Sequence, residues 1–146
     1  DGTEQYSVRK FITLNVLLRR VLSKGSDNVN DQDVNDYLCK NIDNSKIQDV
    51  DWAIGAALFM NRDIYSILGG FDTDYFLYIE DEDFCMRAWK HHIPVVYYPQ
   101  AVVTHNHQRA STKLGKKSLY HLHILFTFFR KHGFNAKRPM TNNQYK

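Results

Sequence analysis

The sequence predicts an α/β domain on three observations: an amphipathic helical pattern near each end, β-rich apolar runs at 50–60 and 95–104, and a segment, 80–92, whose charges run from acidic to basic. With 146 residues, 43% of them hydrophobic, the chain is long enough for one core and short for two.

Taken in order, residues 6–22 place Val8, Phe11, Ile12, Leu14, Val16, Leu17, Leu18 and Val21 among Arg9, Lys10, Arg19 and Arg20, the spacing of a basic amphipathic helix. Residues 23–49 turn to Asn, Asp, Ser and Gly, which predicts a polar, partly mobile loop with a short helical turn around 34–38. The run from 50 to 60 starts as a strand, because Gly55 weakens a helix and Trp52 beside small residues suits a buried sheet edge near a pocket. Asn61 then caps a short helix over 64–68 that Gly69 and Gly70 stop, and 71–74 is a turn.

Segment 80–92 reads as a helix whose four leading acids and trailing Arg87, Lys90, His91 and His92 complement its macrodipole. Phe84, Cys85, Ala88 and Trp89 form its apolar stripe; Glu80, Asp83, Arg87 and Lys90 fall opposite, with Asp83 and Arg87 spaced to pair. Asp81 lies within the stripe. Pro94 ends the helix, and 95–98 and 101–104 are β-rich runs separated by Pro99. Leu119, Leu122, Leu125, Phe126 and Phe129 mark a second basic amphipathic helix, after which 135–146 is expected to be disordered.

Composition narrows the function classes. Nineteen Lys+Arg against sixteen Asp+Glu, net +3, lacks the concentrated basic charge of a nucleic-acid binder. Cys39 and Cys85 are isolated, which predicts free thiols and a reducing compartment. No apolar stretch is long enough to span a bilayer and Asp1-Gly2-Thr3-Glu4 is unlike a signal peptide, so a soluble chain is expected, one that begins inside a longer protein.

Asp81 is the sharpest anomaly, since an inward carboxylate at a helix start must be hydrogen-bonded, paired or used. Read alone it is either a cap satisfied by backbone N–H groups or a chemical group, and Glu80, Glu82 and Asp83 read as solvated first-turn acids, although Glu80 adjoins the same pocket edge. His105 and His107 alternate at a strand end, so at most one faces a pocket; His121 and His123 cannot share a metal and read as exposed. Asp31-x-Asp33, Asp72-x-Asp74 and Asp81-x-Asp83 do not follow an apolar strand and read as chance strings. Arg62 and Arg109 are weak phosphate candidates. Absence of G-x-G-x-x-G, P-loop, G-x-S-x-G and H-E-x-x-H patterns removes most support for nucleotide-fold dehydrogenases and nucleophile-type hydrolases.

In sequence, Val50-Asp51-Trp52-Ala53-Ile54-Gly55-Ala56, Leu68-Gly69-Gly70-Phe71-Asp72, Tyr75-Phe76-Leu77-Tyr78-Ile79-Glu80-Asp81-Glu82-Asp83-Phe84-Cys85-Met86-Arg87, and Val102-Val103-Thr104-His105 with Ser111 resemble the second half of family 2 glycosyltransferases of the GT-A fold, nearest the rhamnosyltransferase-like branch. The resemblance covers nearly the whole chain and is least secure over 23–49. It implies the C-terminal, acceptor-side half of a GT-A nucleotide-diphospho-sugar transferase, a mixed sheet with flanking helices over 1–134, without the nucleotide-binding half. It also implies that Asp81 is the catalytic base, that Glu80, Trp52 and Gly55 bind the acceptor, and that His105 helps bind a divalent cation, Mn²⁺ or Mg²⁺, completed by a D-x-D motif that this chain lacks.

The implied partners are a nucleotide-diphospho-sugar donor and a glycan or lipid-linked acceptor, with peripheral membrane contact, self-association and no nucleic acid. The implied setting is bacterial polysaccharide or cell-wall synthesis at the cytoplasmic face of the plasma membrane, with inversion at the anomeric carbon and no activity in this piece alone. The rival readings are a non-catalytic carbohydrate- or partner-binding fragment and a membrane-surface module built on the two basic helices.

Overall fold

The computed structural model describes residues 5–106 and 116–139. Val8–Arg9 form β1, which pairs antiparallel with β3 (Trp52–Ala53), Val8 opposite Ala53. The helix expected over 6–22 therefore begins later, as α1 (Leu14–Leu22), where the Thr13 hydroxyl accepts the Val16 N–H. Phe11 and Ile12 fit the helical period, yet they are drawn into the core ahead of it.

The polar segment that follows is anchored by α2 (Gln32–Tyr37), capped by Asp31, which buries Val34, Tyr37 and the succeeding Leu38. Arg20 holds its start through the Ser26 carbonyl and the Asp27 carboxylate at 3.0 and 2.7 Å. β2 (Gln48–Asp49) pairs antiparallel with β4 (Val96–Tyr97). Between them lie α3 (Arg62–Ile67), capped by Asn61, and α4 (Glu80–Lys90), which packs on β3. The last element is α5 (Lys116–His132).

Helices with small sheets are compatible with an α/β class, and no mixed sheet forms among the described residues. The described strands make two separate two-stranded antiparallel sheets. The run 101–104 pairs with no strand among the described residues, and Val102 is 87% exposed. The tail also departs from expectation: Asn135 bridges to Thr13, Ala136 is buried and Arg138 lies over the Trp89 ring, so order continues at least to 139. Residues 140–146 lie outside the described set.

One core gathers Phe11, Ile12, Val34, Leu38, Trp52, Met86 and Trp89 with Ile124, Leu125, Phe128 and Phe129 of α5. On α5 the inward row is therefore 124, 125, 128 and 129, while Leu122 and Phe126 face outward. Residues 10–14 form a strap bound in turn to many parts of the molecule. The Lys10 N–H donates to the Tyr37 carbonyl and its own carbonyl accepts the Trp52 indole N–H. Phe11 N–H donates to Asp51, Ile12 N–H to Glu82, and Leu14 N–H to the Phe134 carbonyl. Backbone donors at a buried segment require such partners, and here four carboxylates or carbonyls from different parts of the chain supply them.

Candidate active site

The acid-rich segment enters α4 through two left-handed residues, Tyr78 at φ 68° and Ile79 at φ 69°. Neither is glycine, and a β-branched residue in that region is strained. Packing holds it there: Ile79 is buried in the core and Tyr78 sits against the His121 ring at 5.1 Å. Strained backbone of this kind concentrates at functional sites, and here it aims the first turn of α4 toward the loop after β3.

That aim brings Asp81 to Gly55. Asp81 Oδ2 accepts the Gly55 N–H at 2.7 Å and Oδ1 accepts the Glu82 N–H at 2.9 Å. Burial raises the carboxyl above its ordinary value, and the N–H bonds from Gly55 and Glu82 only partly offset that. Asp81 therefore caps backbone amides, and burial leaves its proton affinity raised. A Cβ on Gly55 would meet Asp81 Oδ2 at an ordinary 3.5 Å, so glycine here leaves the carboxylate uncovered rather than relieving a clash.

The other acids are not the solvated first turn the sequence suggests. Glu80 is half-buried, its Oε2 has no hydrogen-bond partner among the described residues, and burial raises its pKa. Glu82 is 0% exposed; Oε1 accepts the Ile12 N–H at 2.6 Å, and the buried Oε2 has no donor among the described residues. Burial, with the charge of Asp81 adding to it and the Ile12 bond opposing, pushes Glu82 up to about 8.

Asp83 is also buried. It takes the expected Arg87 pair at 2.7 Å and, unforeseen, His132 Nε2 at 2.7 Å. Burial pushes its pKa up, but the His132 and Arg87 bonds outweigh that and hold it low. Lys90 Nζ lies 2.8 Å from His132 Nδ1, which makes that nitrogen the acceptor and Nε2–H the donor to Asp83.

The remaining candidates separate. Trp52 is 5% exposed, in the core, with its indole N–H committed to Lys10, so it seats β3 instead of presenting a face to a ligand. His105 is exposed; its carbonyl accepts the Gln5 amide and its Nδ1 lies 3.2 Å from Gln5 Oε1. Among the described residues no three His, Cys, Asp or Glu side chains converge as a metal site requires, so His105 and the acids of α4 do not make one by themselves.

Structural partners claim the D-x-D strings. Asp31 and Asp33 bind Arg19, and Asp72 and Asp74 bind Lys131 at 2.6 Å each. His121 is half-buried against Tyr78, contrary to the exposed reading, while His123 is exposed. Cys39 and Cys85 are free, and burial pushes the Cys85 thiol up to about 12. Arg62 is exposed at the start of α3. His107, Arg109 and Ser111 lie outside the described residues.

No protein-family model and no solved structure matches the chain. Two curated proteins do, each named N-acetylglucosaminyl-diphospho-decaprenol L-rhamnosyltransferase, from Mycobacterium tuberculosis strains CDC 1551 / Oshkosh and ATCC 25618 / H37Rv. Each is 40% identical over 73 residues, which is 50% of this chain and 23% of the relative. Half of this chain is therefore related to a glycosyltransferase, and the matched stretch spans under a quarter of that relative's length.

Proposed function

We propose that this chain is the acceptor-side, C-terminal half of the catalytic domain of an inverting family 2 glycosyltransferase with a GT-A fold. The observation that carries the reading is Asp81: half-buried, raised in proton affinity, and fixed through both oxygens by the amides of Gly55 and Glu82. A carboxylate has about four lone-pair sites, and these two bonds leave capacity to accept an acceptor hydroxyl proton.

Asp81 takes that proton as the acceptor oxygen forms a bond to the anomeric carbon. The bond from that carbon to the diphosphate breaks, and its electron pair leaves with the nucleoside diphosphate. A good leaving group needs no protonation, unlike the alkoxide released in glycoside hydrolysis. Glu80, with its unpartnered Oε2, receives a neighbouring acceptor hydroxyl, and Gly55 leaves the path to Asp81 open. Trp52 contributes by seating β3. A divalent cation belongs to this reading, with His105 as its donor; the described residues alone do not fit a metal.

Transfer from nucleotide-diphospho-sugars by the longer protein that contains this chain, beside its Asp81→Asn variant, tests the assignment. Loss of roughly a hundredfold or more supports the base. Full activity in the variant reduces Asp81 to a helix cap.

The name of the relatives, with its decaprenol-linked substrate, favours a lipid-linked acceptor. A separate observation supports membrane contact: Leu14, Leu18, Val21 and Leu22 form an exposed row on α1, while among the described residues no helix is long and apolar enough to cross a membrane. Co-sedimentation with anionic vesicles is expected for the chain and is expected to fall for Leu18→Glu/Leu22→Glu. Equal recovery of both in the supernatant would remove the membrane reading while leaving the transfer chemistry intact.

A further inference from the structure

Glu82 takes no part in the transfer step, yet it is the fully buried acid beside the proposed base. Its backbone N–H holds Asp81 Oδ1, and its side chain reaches the other way to the strap at Ile12. The circuit closes through the neighbouring loop: Asp81 Oδ2 holds the Gly55 N–H, and the Ile54 N–H donates to the Ser7 carbonyl at the start of the segment that leads to Ile12. Residue 82 and Gly55 thus each link the segment that carries the strap to Asp81.

We propose that Glu82 is a positioning residue that ties the strap to Asp81, so that the two carboxyls respond to protonation as one coupled pair. Ionised, Glu82 places charge on a buried oxygen, Oε2, for which the described residues supply no donor; neutral, it keeps the Ile12 bond at far lower cost. The groups facing it are Arg9 from β1, Tyr37 from α2, Asp51 ahead of β3, and Asp81 and Cys85 from its own helix. Arg9 is the one cation in this set, and it lies over the Tyr37 and Trp52 rings. A proton leaving Glu82 puts a second negative charge next to Asp81 and strengthens the hold of Asp81 on its own proton. By linkage, removing the charge of Asp81 must ease the ionisation of Glu82 by the same amount. The consequence for rate rests on Asp81 being the base; the coupling does not.

Two amides report on the pair directly, Ile12 for Glu82 and Gly55 for Asp81, so a ¹⁵N–¹H pH titration of this chain tests it without any sugar substrate. The expected result is a step at Ile12 well above the ordinary glutamate range, with a step at Gly55 at the same pH. Glu82→Gln is expected to abolish both, and Asp81→Asn to lower the Ile12 midpoint by about one pH unit. A step at Ile12 with Gly55 silent would make Glu82 a structural anchor only, and no step at either amide would overturn the proposal outright. Should Glu82→Gln fail to fold, the Asp81→Asn midpoint decides, an unchanged value counting against coupling. Failure of the transfer assay with success here would remove the enzyme reading and leave the pair.

Discussion

Glu82 and Asp83 are neighbours, both buried, and they answer burial in opposite ways. Glu82 has one N–H donor and a bare oxygen, so desolvation wins; Asp83 has Arg87 and His132, so its charge is retained. The signs for stability follow. Glu82, raised from an ordinary 4.5 to about 8, favours the fold most below pH 4.5 and loses that contribution as pH climbs toward 8. Asp83, held below its ordinary 3.8, contributes above that value and loses its contribution as acid is added. Thermal unfolding across pH 2–9 is expected to show both limbs, the acid limb flattened in Asp83→Asn and the alkaline limb in Glu82→Gln. At pH 7 Asp83→Asn should cost about 3 kcal/mol, because Arg87 loses its buried anion. None of this was legible from periodicity, which located Asp81 and the Asp83–Arg87 spacing but could not show that His132 and Ile12 arrive from distant segments.

At the scale of elements, α4 is the best-read part of the chain because its charge order and apolar row act locally. The Asn61 cap of α3 is local too, and it was legible for the same reason. α1 was misjudged at its start because Phe11 and Ile12 satisfy a helical period while tertiary burial claims them. The turn before α4 shows how one side chain organises backbone: Arg87 donates to the Leu68 carbonyl, to the Gly70 carbonyl at 2.9 Å and to Asp83. Gly70 is needed there, with φ +74° and a would-be Cβ 2.9 Å from the Tyr65 hydroxyl. Gly70→Ala is expected to destabilise by about 2 kcal/mol in denaturant unfolding. Gly69→Ala, with the same φ and open space around its Cβ, should cost less; equal losses would show that backbone strain alone decides.

Over the whole molecule, the class of fold was legible as α/β, whereas the sheet arrangement was not. Strands of two residues carry little pattern, and their pairings, β1 with β3 and β2 with β4, join segments more than forty residues apart. The candidate site was read from four motifs taken together; the raised affinity and seating of Asp81 came from coordinates. Because the strap is bonded to so many parts, the amides of Phe11 and Ile12 should be among the slowest to exchange with solvent, approaching global unfolding, while 101–106, exposed and without ladder bonds, should exchange fast. Exchange at Ile12 as fast as in 101–106 would mean that the strap opens independently.

The same arrangement bears on the order of assembly. Ile12 finds its acceptor seventy residues later in the chain, and Leu14 finds its own only at Phe134. Synthesis delivers residues 10–14 before those partners exist, so Phe11 and Ile12 reach the packing seen here only after Glu82 and Phe134 have been made. Docking of this segment carries the longest loop-closure entropy in the molecule and belongs late on the folding pathway. A chain built this way is most vulnerable to aggregation in that interval, before the surfaces that pack on Phe11 and Ile12 in the fold have been made.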